Sequence, residues 1–135
     1  MLTEMTKLQK IIFHISRWVS SLILLATLYF KLSGAEESVF IFSTLGMEPW
    51  GRYLSAGVEL FAAVFLILPS FVWLGALISL NVIAGAVISH LIFLGVEVMG
   101  DRGLLFFLAC VVLFSSVYLT YMERNKIPFV KQYLG

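Results

Sequence analysis

The sequence predicts an all-α fold: an integral membrane, antiparallel four-helix bundle with an interfacial or re-entrant segment between its first two helices. Three observations carry this expectation. Of 135 residues, 61% are hydrophobic and 13% charged, against roughly half and a quarter in a soluble domain. The mean hydropathy is +1.01. Residues 60–96 contain no Asp, Glu, Lys or Arg over 37 positions, nearly twice the roughly 20 that cross a hydrocarbon core about 30 Å thick.

The first span is read from Ile11 to Phe30, with His14 and Arg17 in its first two turns. Both are expected to snorkel, the charged head reaching the headgroups while the stem stays in hydrocarbon. Lys7 and Lys10 precede this run and Ser33-Gly34-Ala35 resembles a small-residue cleavage site, so a secretory signal is the alternative. Bulky Tyr29 and Phe30 and charged Lys31 stand where a signal peptide thins out, which makes an uncleaved helix the simpler reading.

The connection from Ser33 to Arg52 carries apolar Val39-Phe40-Ile41-Phe42 and Leu45 between acidic residues and the Gly46-Met47-Glu48-Pro49 turn. A segment of that composition lies at the interface or re-enters the membrane. Pro69-Ser70 then divides the long apolar run. Spans two and three follow at about Tyr53–Leu68 and Phe71–Leu94, joined by a very short turn, and Gly103–Met122 makes the fourth. In this reading residues 1–135 are a single domain with spans near 11–30, 53–68, 71–94 and 103–122.

Lys7, Lys10, Arg124, Lys126 and Lys131 fall on the terminal segments, and Lys31, Arg52 and Arg102 on the opposite side. The positive-inside bias therefore places both termini in the cytoplasm. Trp18, Trp73, Tyr118 and Tyr121 mark one interface; Tyr29, Trp50 and Tyr53 mark the other. A formal net charge of +1 offers no field for nucleic acid. A single cysteine, Cys110, supplies neither a dithiol redox pair nor a thiolate zinc cage, so no metal is expected and any redox chemistry must be borrowed.

The polar residues inside the spans need a reason. Glu59 lies six residues after Tyr53, about 9 Å deep at 1.5 Å per residue. It shares a stripe with Ser55, Ala62 and Ala63, so it should point inward. His90 stands at similar depth on the third span and Lys31 closes the first, which lets the three converge as a ligand site. The same residues equally fit a structural ion pair with a satisfied histidine. A protonated Glu59 donating to a carbonyl and a carboxylate held by Lys31 are both open at this stage. Asn81, nine residues from His90 and so on roughly the opposite face, is read as a polar bridge between helices. Gly75, Ser79, Ala84, Gly85, Ala86 and Ser89 are read as close packing.

The order of Phe30-Lys31-Leu32-Ser33-Gly34, Leu45-Gly46-Met47-Glu48-Pro49-Trp50, Gly57-Val58-Glu59-Leu60, Leu68-Pro69, Leu74-Gly75-Ala76 and Ser89-His90-Leu91 resembles the DoxX family over about residues 11 to 122. Members share four transmembrane helices, a lysine closing helix one, a Gly-x-Glu in helix two and an Ala-x-x-x-His in helix three, here Gly57 to Glu59 and Ala86 to His90. Many relatives carry a glycine where this chain has Leu28. The family is named for its similarity to the membrane subunit of a thiosulfate:quinone oxidoreductase. The resemblance thus implies a bacterial inner-membrane protein with a quinone or redox connection; a redox partner protein would have to supply the electrons, because this chain offers no metal set, flavin motif or thiol pair. Three functions follow as expectations: an accessory subunit of a quinone-linked or oxidative-stress process, not a complete enzyme alone; a lipid or small-amphiphile binding or transport protein; and a scaffold, as an oligomer or in a larger membrane complex.

Overall fold

The computed structural model describes residues 5–128; Lys131, counted above for orientation, lies outside them. Among the described residues all regular structure is helical. Four stretches are long and apolar enough to cross a membrane, Lys7–Ser33, Trp50–Ile67, Pro69–Leu94 and Leu104–Met122.

Helix α1 (Lys7–Ser33) overruns its apolar stretch at both ends because caps, not hydropathy, decide where a helix stops. Thr6 and Gln9 form a reciprocal capping box, and Gly34, with φ of 72°, turns the chain out in the left-handed conformation. Helix α2 (Glu36–Thr44) occupies the segment read as interfacial or re-entrant. Glu36 and Glu37 sit in its first turn, where negative charge complements the helix dipole. Helix α3 (Trp50–Ile67) begins directly after Pro49. It ends where Leu68 becomes extended, the conformation favoured before a proline.

A single 3-10 turn, Pro69–Phe71, leads into α4 (Val72–Ser89), which continues as a π-helical turn over His90–Leu94. Helix α5 (Leu104–Met122) and a 3-10 turn at Arg124–Lys126 complete the described chain. Both α1 and α4 pack against α3 and α5, and α2 lies against α1, α3 and the His90–Leu94 turn.

Large apolar side chains point away from these contacts on every long helix: Leu22, Phe61, Ile88 and Phe107 are each more than half exposed, and Phe114 is 72% exposed. In water so much apolar surface would drive association; against lipid tails it costs nothing. The tightly packed part lies in the first half of α1 and α4 and the second half of α3 and α5, around Phe13, Ala62, Ala63, Leu66, Ala76 and Val112.

Small residues set that closeness. A Cβ on Gly75 would stand 2.6 Å from the Leu66 nitrogen and 3.0 Å from the Ala62 carbonyl oxygen, so α4 touches the backbone of α3. The Ser21 hydroxyl donates to the Ala63 carbonyl at 3.0 Å, and the Ser79 and Ser116 hydroxyls bond across α4 and α5.

Arg17 corrects an expectation. Instead of snorkelling it is only 6% exposed. Its Nε donates to the Leu66 carbonyl at 2.8 Å and Nη2 to the Ile67 carbonyl, while His14 Nδ1 lies 3.2 Å from Nη1. The reason is the end of α3: its last carbonyls have no helical donor, and Pro69 brings no N–H. In an apolar setting a bare carbonyl and an unpartnered guanidinium are both costly, and bonding one to the other offsets both.

Gly75→Ala should therefore lower stability by about 1–3 kcal/mol through forced separation of α3 and α4. Gly57→Ala, which meets nothing within 4 Å, should be neutral or slightly stabilising. Unfolding of the detergent-solubilised protein by a titrated denaturant measures both.

Candidate functional site

At the end of the helices opposite Arg17, α1 and α3 present an ion pair. Lys31 Nζ lies 3.0 Å from Glu59 Oε1. The other carboxylate oxygen is 3.2 Å from the Thr27 hydroxyl, which also lies 3.0 Å from the Leu24 carbonyl. Thr27 and Lys31 are four residues apart and so share one face of α1. Glu59 is buried on the stripe that carries fully buried Ala56, Ala62 and Ala63. Within the pair the lysine is the more accessible partner, its side chain 16% exposed against 5% for the glutamate.

Arg52, read from the sequence only as an orientation signal, positions this pair. Its Nη1 donates to the Lys31 carbonyl, one of the terminal carbonyls of α1 that have no helical partner. Nε and Nη2 grip the Glu48 carboxylate at 2.7 to 3.0 Å, and the guanidinium lies over the Tyr53 ring at 4.6 Å. The last turn of α1 is thereby fixed to the first turn of α3. Nothing in the spacing of Lys31 and Arg52 announces this, because the two are 21 residues apart and separated by α2.

His90 opens the π-helical turn and is 5% exposed. Its Nδ1 lies 3.0 Å from the Gly95 carbonyl oxygen, and its ring meets Phe106 edge to face at 5.5 Å. It makes no hydrogen bond to Lys31 or Glu59. Two of the three predicted residues are thus in contact, and the third faces the same space from another helix.

That space is a cavity of about 640 Å³, to which Lys31, Glu59 and His90 all contribute. Ile23, Ile41, Val58, Ile83 and Leu108 bring apolar walls from all five helices. The volume falls within the range of about 300–1,000 Å³ typical of small-molecule sites, and so does the character, apolar walls with a few convergent polar groups.

Two readings of α4 are corrected here. Gly75 and Ser79 are buried in packing, but Gly85, Ala86 and Ser89 line the cavity; in that half of the helix small side chains leave room. Asn81 does not bridge helices. Its amide donates to the Leu77 carbonyl one turn back on its own helix, at 2.8 Å. The cavity reaches far enough around α4 to take in Asn81 on one flank and His90 on the other.

Asp101, not singled out by sequence, closes the rim. One carboxylate oxygen accepts from the backbone N–H of Val98 at 3.0 Å and of Gly103 at 2.8 Å, the other from Leu105 at 3.1 Å. It caps α5, whose own N-cap residue, Gly103, has no side chain to do so. Burial opposes the charged carboxylate, but the backbone donors from Val98, Leu105 and Gly103 outweigh it and hold the group below the usual aspartate range.

Among the described residues no three His, Cys, Asp or Glu side chains gather closely enough to hold a metal ion. Comparison of the chain with protein-family models, with curated proteins and with solved structures finds no match.

A carboxyl held low contributes stability that is complete above its unfolded pKa and lost as pH falls through its folded one. Amide exchange at Gly103 and Leu105 should accordingly rise on acidification below the ordinary aspartate range. Asp101→Ala should show the raised exchange already at neutral pH, with a loss of about 0.5–2 kcal/mol for a missing cap. Hydrogen exchange read by mass spectrometry across pH checks the sign.

Proposed function

We propose that this protein is a DoxX-like accessory subunit of a quinone-linked redox process, holding a quinone in the cavity bordered by Lys31, Glu59 and His90. It sits as an antiparallel four-helix bundle in a bacterial inner membrane, with both termini cytoplasmic and α2 at or within the outer interface. A partner protein supplies or takes the electrons, since the motifs of this chain offer no flavin site or thiol pair.

The observation that carries this reading is the pairing of a roomy apolar cavity with one accessible cation at its edge. An ammonium has three N–H donors, and Glu59 takes one from Lys31. The remaining donors suit a headgroup oxygen, while the apolar walls suit a ring and an isoprenoid tail. Glu59 keeps the ammonium at the cavity in a setting where a lone charge would be costly. The order of motifs shared with DoxX proteins directs the choice among amphiphiles toward a quinone.

Purified wild type extracted from mild detergent should release a quinone in stoichiometric amount. Glu59→Gln, which leaves Lys31 without its counter-charge, should retain about tenfold less or lower still, the loss expected when a charge-assisted contact worth roughly 1.5–3 kcal/mol is misplaced. Mass spectrometry of the extract reads both. A selectively retained phospholipid would replace this reading with lipid binding or transport. Neither molecule in well-folded wild type would leave the scaffold role.

A further inference from the structure

The histidine carries the argument one step beyond an unspecified quinone. A backbone carbonyl oxygen can only accept a hydrogen bond. With Gly95 O at 3.0 Å, His90 Nδ1 must carry the proton. In the neutral ring the other nitrogen, Nε2, is then a lone-pair acceptor. No side chain or backbone donor among the described residues reaches it. The residue is only 5% exposed, lines the cavity, and its ring meets Phe106 edge to face. The opening of the α4 backbone into a π turn places it there: the Gly95 N–H bonds to the His90 carbonyl five residues back, at 2.7 Å.

Resting on the reading of the cavity as a quinone site, we infer that the site is built to hold the reduced, hydroxyl-bearing form, a quinol, in preference to the quinone. The two forms differ in the quality His90 detects. A quinol hydroxyl donates to Nε2; a quinone has only carbonyl acceptors there, and two lone pairs face each other. Lys31 does not discriminate, because its N–H groups donate to a carbonyl or to a hydroxyl oxygen equally well. Glu59 adds to the bias, since a carboxylate offers about four acceptor sites; Lys31 occupies one, and the Thr27 hydroxyl, whose single proton is also claimed by the Leu24 carbonyl, at most a second. An imbalance of acceptors over donors selects a ligand that brings donors, as sites built to hydrogen-bond a hydroxyl reject analogues lacking it.

The test is the affinity of the full chain, in detergent and under argon at pH 7.5, for a short-chain alkyl benzoquinol and for its benzoquinone, each by calorimetric titration. Quinol should bind about two- to tenfold tighter, the ratio one additional neutral hydrogen bond supplies. In His90→Phe, which keeps a flat ring against Phe106 without the acceptor, the ratio should fall toward one. Equal affinities, or tighter quinone, in wild type overturn the inference while leaving the quinone site intact; binding of neither overturns both.

Should His90→Phe fail to fold, nitrogen-15 NMR of wild type decides the same point. The chain has two histidines, so spectra of His14→Gln and wild type assign His90. A proton on Nδ1 with bare Nε2 is expected. A proton on Nε2, alone or in an imidazolium, overturns the inference.

Discussion

Two arginines exchanged between neighbouring helices hold the arrangement on which the rest depends. A helix that ends in an apolar setting leaves its last carbonyls without donors, and no water is at hand to replace them. Here α1 supplies Arg17 to the terminal carbonyls of α3, and α3 supplies Arg52 to a terminal carbonyl of α1. The two helices run in opposite directions, so each reaches the other's end from its own beginning. The guanidinium fork suits the task because it presents several donors in a fixed plane. Register between α1 and α3 is therefore set by backbone polarity at both ends, leaving side-chain packing in between free to vary.

That freedom is used unevenly. Toward Arg17, Gly75, Ala62, Ala63 and Leu66 close the helices on one another until, at Gly75, the backbone of α4 meets that of α3. Toward Lys31, Gly85, Ala86 and Ser89 occupy the corresponding half of α4, and the space they leave is the cavity. One half of the molecule is solid and the other hollow, although the same small residue types run through both halves of α4. What distinguishes them is the partner surface: α3 closes on α4 at Gly75, and the Ser79–Ser116 bond ties α4 to α5 in the same half, whereas α2 stands at the other end.

Much of this was legible in the sequence. The spans follow from hydropathy and from Pro69, and their boundaries shifted only where Thr6, Gly34 and Pro49 made local decisions that hydropathy does not register. Glu59 was placed inward by its stripe of small residues, and Lys31 by depth; the structure brings these two within 3.0 Å. Long-range polar assignments were less accessible. Arg17 faces lipid or protein with equal ease when only its own helix is considered, because the carbonyls that claim it are 49 and 50 residues away. Asn81 was assigned a neighbour on another helix, but a short amide also finds an acceptor four residues back on its own. Asp101 acts through backbone N–H groups, which carry no sequence signal, and the π turn that brings the Gly95 carbonyl to the His90 ring has none either.

The Lys31–Glu59 pair has a meaning for how the chain enters the membrane. At the centre of a helix inserted alone, a lysine or an acidic residue costs about 2.5–3.5 kcal/mol on insertion scales, and an arginine costs a similar amount. Helix α1 bears Arg17 and Lys31; α3 bears Arg52 and Glu59. Each is a reluctant traveller by itself, and each brings the partner groups the other lacks. Brought together, the two helices offset these costs in different ways: Lys31 meets the Glu59 carboxylate, while Arg17 and Arg52 meet the free carbonyls at each other's ends.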